Sequence, residues 1–486
     1  MQYISTRGNA PKVNSTTALL NGIAPDGGLY VPEEMSRAGA KFFGEDYAGT
    51  MRKLLAVFFD DVPENVREAA IKSSAARFSS PEFVPLEKIP GADGVYFLNL
   101  YCGPTLAFKD VALTILPHLL QYAAQKAGLS RAAILTATSG DTGSAAMSGF
   151  ADVAGTEVLV FYPQTGTSEI QRRQMVCCAG ENVHACAIEG NFDDAQAGVK
   201  AVFADEKIRA DAAAKGVFLS SANSINIGRL FPQICYYLET WRKLEQSGAL
   251  ADSGVFDVVV PTGNFGNILA ANFAKKLGAP IRRLIVASNE NRVVADFIAN
   301  GTYDRRREFK ITNSPSMDIL VSSNVERLIF YVSGCSSARV RECMNSLRET
   351  GKFELLPEEF SAMRENYASG FANVGETETA IKTIWENSRM LADPHTAIGW
   401  KVLNEQRRDN VPAVIAATAS PWKFPTTMLR ALSGTCAGDD FENLRALASL
   451  TGTSPHLAEL ASAPVLHDTT CARDAVGSAV RRVFKI

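Results

Sequence analysis

The sequence predicts an α/β protein with parallel sheets covered by helices on both faces, and three observations carry that prediction. Short β-branched or apolar runs recur from about residue 95 onward, several are continuously apolar instead of alternating, and helix-like stretches separate many of them. A strand buried on both faces has no side to show to water, so it loses the period of two that marks a half-exposed strand. Strand and helix in alternation then argue for parallel sheets. The 486 residues, at roughly 150 per domain, suggest about three domains, and 46% hydrophobic content is enough to bury a large core without staples.

Residues 1–85 read as a mostly helical N-terminal unit. Leu19-Leu20 and Ile23 precede the turn signal Pro25-Asp26-Gly27-Gly28, and residues 29–32 follow as a short strand. Pro63-Glu64-Asn65 opens a helical stretch over 66–78. Beyond it, strands are expected at 95–100, 132–138, 158–162, 183–188, 256–260, 284–287 and 411–417. Helices are expected at 111–127, 194–203 and 268–277, with further helical stretches near 342–372 and after 441.

Composition excludes several classes of function. Lys+Arg number 49 and Asp+Glu 52, a net charge of -3, which leaves no electrostatic footprint for nucleic acid or an anionic membrane. The nine cysteines are odd in number and contain no C-x-x-C, and the five histidines form no metal-ligand spacing. No disulfide framework and no metal site are therefore expected, and free cysteines fit a reducing compartment. The N-terminus has no signal-peptide pattern and no apolar run nears the ~18 residues a membrane span needs. A cytoplasmic enzyme or binding protein is the expectation. Arg305-Arg306-Arg307 reads as a solvated loop face.

Two strand–turn–helix junctions carry chemistry. In one, residues 134–138 run into Ser139-Gly140-Asp141-Thr142-Gly143-Ser144; in the other, residues 258–262 run into Gly263-Asn264-Phe265-Gly266-Asn267. Glycines let the backbone approach a ligand, and a helix starting there aims unpaired N–H groups and its positive dipole end at an anion. Each junction suits a phosphate or carboxylate, although a tight turn packing strand on helix would read the same way. Neither G-x-x-x-x-G-K-[ST] nor G-x-G-x-x-G occurs, so both common nucleotide motifs are missing. A third segment, Cys102-Gly103-Pro104-Thr105-Leu106-Ala107-Phe108-Lys109-Asp110, follows the first strand of the α/β region. Lys109 comes after three apolar residues, where its ammonium would be partly desolvated and its pKa lowered, as a Schiff-base lysine requires. The plain alternative is a lysine at a helix N-terminus pointing to water, but a cation is out of place at that end of the dipole.

Taken together, these segments resemble threonine synthases of the bacterial and fungal branch, pyridoxal-phosphate enzymes of fold type II. The resemblance rests on Ser5-Thr6-Arg7-Gly8, residues 26–32, 103–110, 138–144 and 190–194, Asn223-Ser224-Ile225-Asn226-Ile227-Gly228-Arg229, and residues 263–267. Ser316-Met317-Asp318-Ile319, residues 323–327, Asp393-Pro394-His395-Thr396-Ala397 and residues 418–424 extend it over nearly the whole chain. It implies two α/β lobes around a cofactor cleft plus the N-terminal unit, divided as 1–85, 86–215 with the cofactor lysine and the smaller lobe, and 216–486 with the larger lobe and C-terminal helices. It implies pyridoxal 5'-phosphate joined to Lys109, with its phosphate on Gly263, Asn264, Phe265, Gly266 and Asn267. The hydroxyl partner of the pyridine nitrogen is implied at Thr418, with Ser420 as the alternative.

The implied substrate is O-phospho-L-homoserine, converted with water to L-threonine and phosphate. Its carboxylate is implied on Ser139, Gly140, Asp141 and Thr142. The departing phosphate is implied near Ser224, Arg229, Thr142 and Asn267, where a guanidinium gives bidentate charge-assisted bonds; by itself Arg229 could equally form a structural salt bridge. Asp141 stands where many fold type II relatives have a neutral asparagine. A monomer or homodimer is expected. The rival readings are another fold type II enzyme, such as a serine or threonine dehydratase, and a catalytically silent homologue that binds a phosphorylated ligand.

Overall fold

The computed structural model describes residues 1–35, 39–138, 140–164, 167–436, 438–452 and 456–486. In chain order the strands are β1 (Tyr3–Ser5), β2 (Tyr30–Pro32), β3 (Leu86–Lys88), β4 (Val95–Asn99) and β5 (Arg131–Ala137). There follow β6 (Thr156–Pro163), β7 (Val183–Ile188), β8 (Val217–Ser221), β9 (Phe256–Pro261) and β10 (Ile281–Ser288). The last are β11 (Thr302–Asp304), β12 (Lys352–Glu354), β13 (Tyr367–Phe371), β14 (Ala413–Ala417) and β15 (Thr469–Cys471).

Two sheets dominate. The larger runs β13-β10-β9-β14-β4-β3, parallel except for β3, which pairs antiparallel at one edge. The smaller runs β15-β7-β6-β5-β8 and is parallel throughout. Alternate side chains of one strand enter different cores, which explains the continuous apolar runs. In the larger sheet Val258, Val260, Val414 and Ala416 face one core, while Val259, Ile415 and Ala417 face another. In the smaller sheet Ile134, Val158 and Val160 face the first core and Leu135, Leu159 and Phe161 a third.

Two features differ from the sequence expectation. Residues 342–372 do hold helices Ser337–Thr350 and Pro357–Arg364, but they also contain β12 and β13. Tyr367-Ala368-Ser369-Gly370-Phe371 shows no apolar run because β13 is an edge strand whose residues past Tyr367 are only half-buried. The lysine helix starts at Lys109, Lys109–Lys126, earlier than the apolar pattern suggested. The chain also crosses between sheets: β8 and β15, both beyond residue 215, complete the two edges of the smaller sheet.

The N-terminal unit pairs β1 with β2 and adds helices Ser15–Asn21, Tyr47–Phe58 and Glu64–Ala75. It is bound to the larger lobe by charge. Arg7 Nη2 lies 2.9 Å from Glu326 Oε2, and Thr6 Oγ1 donates to Glu326 Oε1 at 2.6 Å. The fully buried Arg327 donates to the carbonyls of Tyr30 and Ile225. Residues at the carboxyl ends of β5, β9 and β14, together with Phe108 and Lys109 beyond β4, line one cavity of about 740 Å³, the position where parallel α/β sheets bind ligands.

Candidate active site

The lysine is delivered by the loop after β4. That loop is clamped to the end of β14: Phe108 N donates to the Thr418 carbonyl at 2.9 Å, and Ala107 bridges Ala419. Asp110, in the first turn of helix Lys109–Lys126, accepts from Thr105 N at 2.9 Å, from Thr105 Oγ1 and from Ala107 N at 3.3 Å. An anion is thus supplied at the helix start, where the dipole favours it. Lys109 itself is only 8% exposed, and its Nζ lies 3.2 Å from Asp141 Oδ2. Burial lowers its pKa, Asp141 opposes that, and the charges of Lys423 and Arg229 push it lower again. The result is an amine below the ordinary lysine value.

Asp141 comes from the turn after β5. Gly140 there has φ 151°, and a Cβ on it would fall 2.5 Å from Gln171 Cδ, so only glycine fits. Thr138 Oγ1 accepts from Gly140 N and Gly143 N, both at 3.0 Å, which closes the turn. Asp141 then begins helix Asp141–Phe150. Its carboxylate accepts from Gln171 Nε2 at 2.8 Å and Ser316 Oγ at 3.1 Å, and pairs with Lys423 Nζ at 2.7 Å. Burial alone would raise its pKa; the Lys109 and Lys423 charges, with hydrogen bonds from Lys423 and Gln171, outweigh it and hold Asp141 well below the ordinary carboxylate value. Thr142 lines the cavity beside it. Ser139 lies outside the described residues.

The turn after β9 forms the opposite wall. Phe265 takes a left-handed φ of 61°, and helix Gly266–Leu277 starts next to it with no side-chain cap. Its first N–H groups have no intrahelical acceptor, so they remain available to an anion. Asn267 Oδ1 accepts from Tyr237 Oη, while its buried Nδ2 has no partner among the described residues. The turn is held from behind: Ser322 Oγ donates to the Gly263 carbonyl at 2.8 Å, and Asn324 Nδ2 to the Asn264 carbonyl at 3.0 Å and to Ser224 Oγ at 3.3 Å.

Arg229 is 2% exposed and donates through Nη1 to the Ala222 carbonyl, and its Nε has no partner among the described residues. Thr418, at the end of β14, lines the same cavity. Ser420 instead lines a neighbouring cavity of about 580 Å³, and its Oγ accepts from Trp422 N at 3.4 Å. Lys109, Asp141, Thr142, Ser224, Arg229, Gly263, Asn264, Phe265, Gly266, Asn267 and Thr418 therefore share one cavity, with Gly140 forming the turn behind Asp141.

Sequence reasoning did not single out Lys423, Gln171, Ser316 or His395. His395 Nδ1 is 2.7 Å from Asp393 Oδ1, and Ser316 N donates to His395 Nε2 at 3.3 Å, so the proton sits on Nδ1. The only local sign was that 316, 395 and 423 fall in segments carrying the family resemblance; Gln171 gave none. Arg305 and Arg306 are exposed as expected, yet they border the cavity mouth. Among the described residues no group of three or more His, Cys, Asp or Glu could hold a metal ion, and no helix is long and apolar enough to cross a membrane.

Residues 81–415 match the family model described as pyridoxal-phosphate dependent enzyme. Residues 2–75 match a threonine synthase N terminus and residues 396–466 a threonine synthase C-terminal region. The threonine synthase of Pseudomonas aeruginosa is 40% identical over 440 residues, covering 89% of this chain and 90% of that one. A crystal structure of pyridoxal-phosphate-bound threonine synthase from Brucella melitensis superposes with a TM-score of 0.87 at 35% identity, covering 100% of both chains. The yeast threonine synthase structure gives a TM-score of 0.88 at 30% identity, covering 100% of this chain and 98% of that one.

Proposed function

The chain belongs to the threonine synthase family of pyridoxal-phosphate-dependent enzymes, and from that premise we propose that its cavity converts O-phospho-L-homoserine and water to L-threonine and phosphate, with Lys109 as the catalytic amine. The observation that carries the assignment to this cavity is a buried lysine beyond β4 that shares it with an uncapped helix N-terminus. Such an enzyme is a lyase. We read the chain as a soluble cytoplasmic protein, monomeric or homodimeric, acting on a small molecule, with lobes dividing near residues 85 and 215.

The residues fit the cofactor. An uncapped helix start at Gly266 suits a phosphate dianion held by main-chain N–H groups, without a cation. Asn267, which lines the same cavity, has an Nδ2 donor with no partner among the described residues. Thr418 supplies a hydroxyl for the pyridine nitrogen, and Lys109 supplies the amine that joins the group. When bound, pyridoxal phosphate supplies an electron sink for charge developing at the substrate carbons.

The chain's own residues do the rest. The turn at Gly140, Asp141 and Thr142, with Ser139, receives the substrate carboxylate. Arg229, with Ser224, receives the phosphate: a buried guanidinium whose Nε has no partner among the described residues suits an anion. Lys109, its pKa held below the ordinary lysine value by burial, would take the proton from Cα as a general base. It returns a proton as product forms. A serine dehydratase would leave Arg229 without an anion to bind. The test is phosphate release from O-phosphohomoserine. Lys109→Ala is expected to fall by about 10³-fold or more; turnover equal to wild type would overturn the proposal.

A further inference from the structure

Asp141 lies between two buried lysines. Its Oδ2 faces Lys109 Nζ at 3.2 Å and its Oδ1 faces Lys423 Nζ at 2.7 Å. Lys423 has no exposed surface, and it also donates at 2.8 Å to the carbonyl of Thr105, in the loop that delivers Lys109. A fully buried ammonium on one turn is therefore tied both to the carboxylate beside the catalytic amine and to the backbone before it.

We propose that Lys423 is a positioning residue that neutralises Asp141, so that the carboxylate orients Lys109 and the carboxylate-binding turn without holding the proton of Lys109. The inference rests on the reading of Lys109 as the cofactor lysine. A carboxylate about 3 Å from an amine in a desolvated site, if alone, would raise that amine by roughly 1–3 pH units and keep it charged. It would also set a bare negative charge in the turn assigned to the substrate carboxylate. Pairing Asp141 with the buried lysine at 2.7 Å offsets both effects. The pair as a whole is neutral, and Asp141 still accepts from Gln171 and Ser316, which fix its plane.

The other charged groups around Lys109 do not replace Lys423. Arg229 also disfavours the Lys109 ammonium, but it contacts the Ala222 carbonyl and not Asp141. Asp110, on the lysine's own helix, is spent on Thr105 and Ala107. His395 reaches the group only through Ser316, whose N–H it accepts. A purely structural Lys423 would instead serve as a tether between its turn and residue 105, with no influence on the amine.

The two roles separate in the apo protein. The rate at which the visible band forms on adding pyridoxal 5'-phosphate, followed from pH 6 to 10, reports the fraction of Lys109 that is deprotonated. Removing the cation in Lys423→Met should move the midpoint of that profile up by about one pH unit or more, and Asp141→Asn combined with Lys423→Met should bring it back to within about half a unit of wild type. The double variant removes both members of the Asp141–Lys423 pair, so it reads the proposal even where the single variant fails to fold. A Lys423→Met midpoint equal to wild type, or a double variant displaced by a unit or more, would overturn the inference. Borohydride reduction and peptide mapping of each variant distinguish this from failure of the premise: a pyridoxyl group missing from Lys109 in wild type as well would remove the cofactor-lysine reading itself.

Discussion

Arg229 is buried to 2% exposure, yet among the described residues its guanidinium has one acceptor, the Ala222 carbonyl, and its Nε has none. Desolvating an unpaired cation costs several kcal/mol, so the fold tolerates this residue at a cost that an incoming dianion offsets. Charge-assisted hydrogen bonds contribute about 1.5–3 kcal/mol each. Arg229→Leu is accordingly expected to retain the cofactor while kcat/KM for O-phosphohomoserine falls by about 10²-fold or more. In the same variant inorganic phosphate should cease to raise the Tm. An unchanged kcat/KM would show that the phosphate lies elsewhere. Lys109 and Asp141 show the same logic from the other side: each buried charge has a named partner, and the balance among them sets an amine that is free to react.

At the scale of elements, the helices that start at Lys109 and Asp141 pack together, most tightly at one glycine. A Cβ on Gly149 would lie 2.2 Å from the Leu113 carbonyl oxygen, in the middle of helix Lys109–Lys126. Gly149→Ala therefore forces the two helices apart. The expected cost is about 1–3 kcal/mol in denaturant unfolding, with weaker retention of pyridoxal phosphate because Lys109 and Asp141 lead these two helices. Wild-type stability and retention together would show that the contact does not position the site.

The interiors of the sheets were legible in the sequence because double-faced burial writes an unbroken apolar run, as in β9 and β14. Edge strands such as β13 carry no such constraint, and Tyr367-Ala368-Ser369-Gly370-Phe371 gave no sign of itself. Lys109 stood out because a cation opposes the dipole at a helix start. Lys423 did not: a lysine between Trp422 and Phe424 reads like many surface lysines, and its acceptor, the Thr105 carbonyl, is 318 residues away. Gln171 and Ser316 are hidden for the same reason, since their shared partner Asp141 is brought to them only by the folded lobes.

Across the whole molecule, the N-terminal unit supports the cofactor turn through a short relay. Arg327 donates to the Tyr30 carbonyl and, through Nη1, to Asn324 Oδ1 at 2.6 Å; Asn324 in turn donates to the Asn264 carbonyl at 3.0 Å. The unit matched to threonine synthase N termini is thereby coupled to the Gly263–Asn267 segment that the account gives to the cofactor phosphate. The two sheets, the relay and the buried charges all converge on one amine. The most direct test is borohydride reduction of the holoprotein followed by mass spectrometry of the intact chain and of its peptides. The account predicts one pyridoxyl group per chain, attached to Lys109; a group on any other side chain, or none at all, would contradict it.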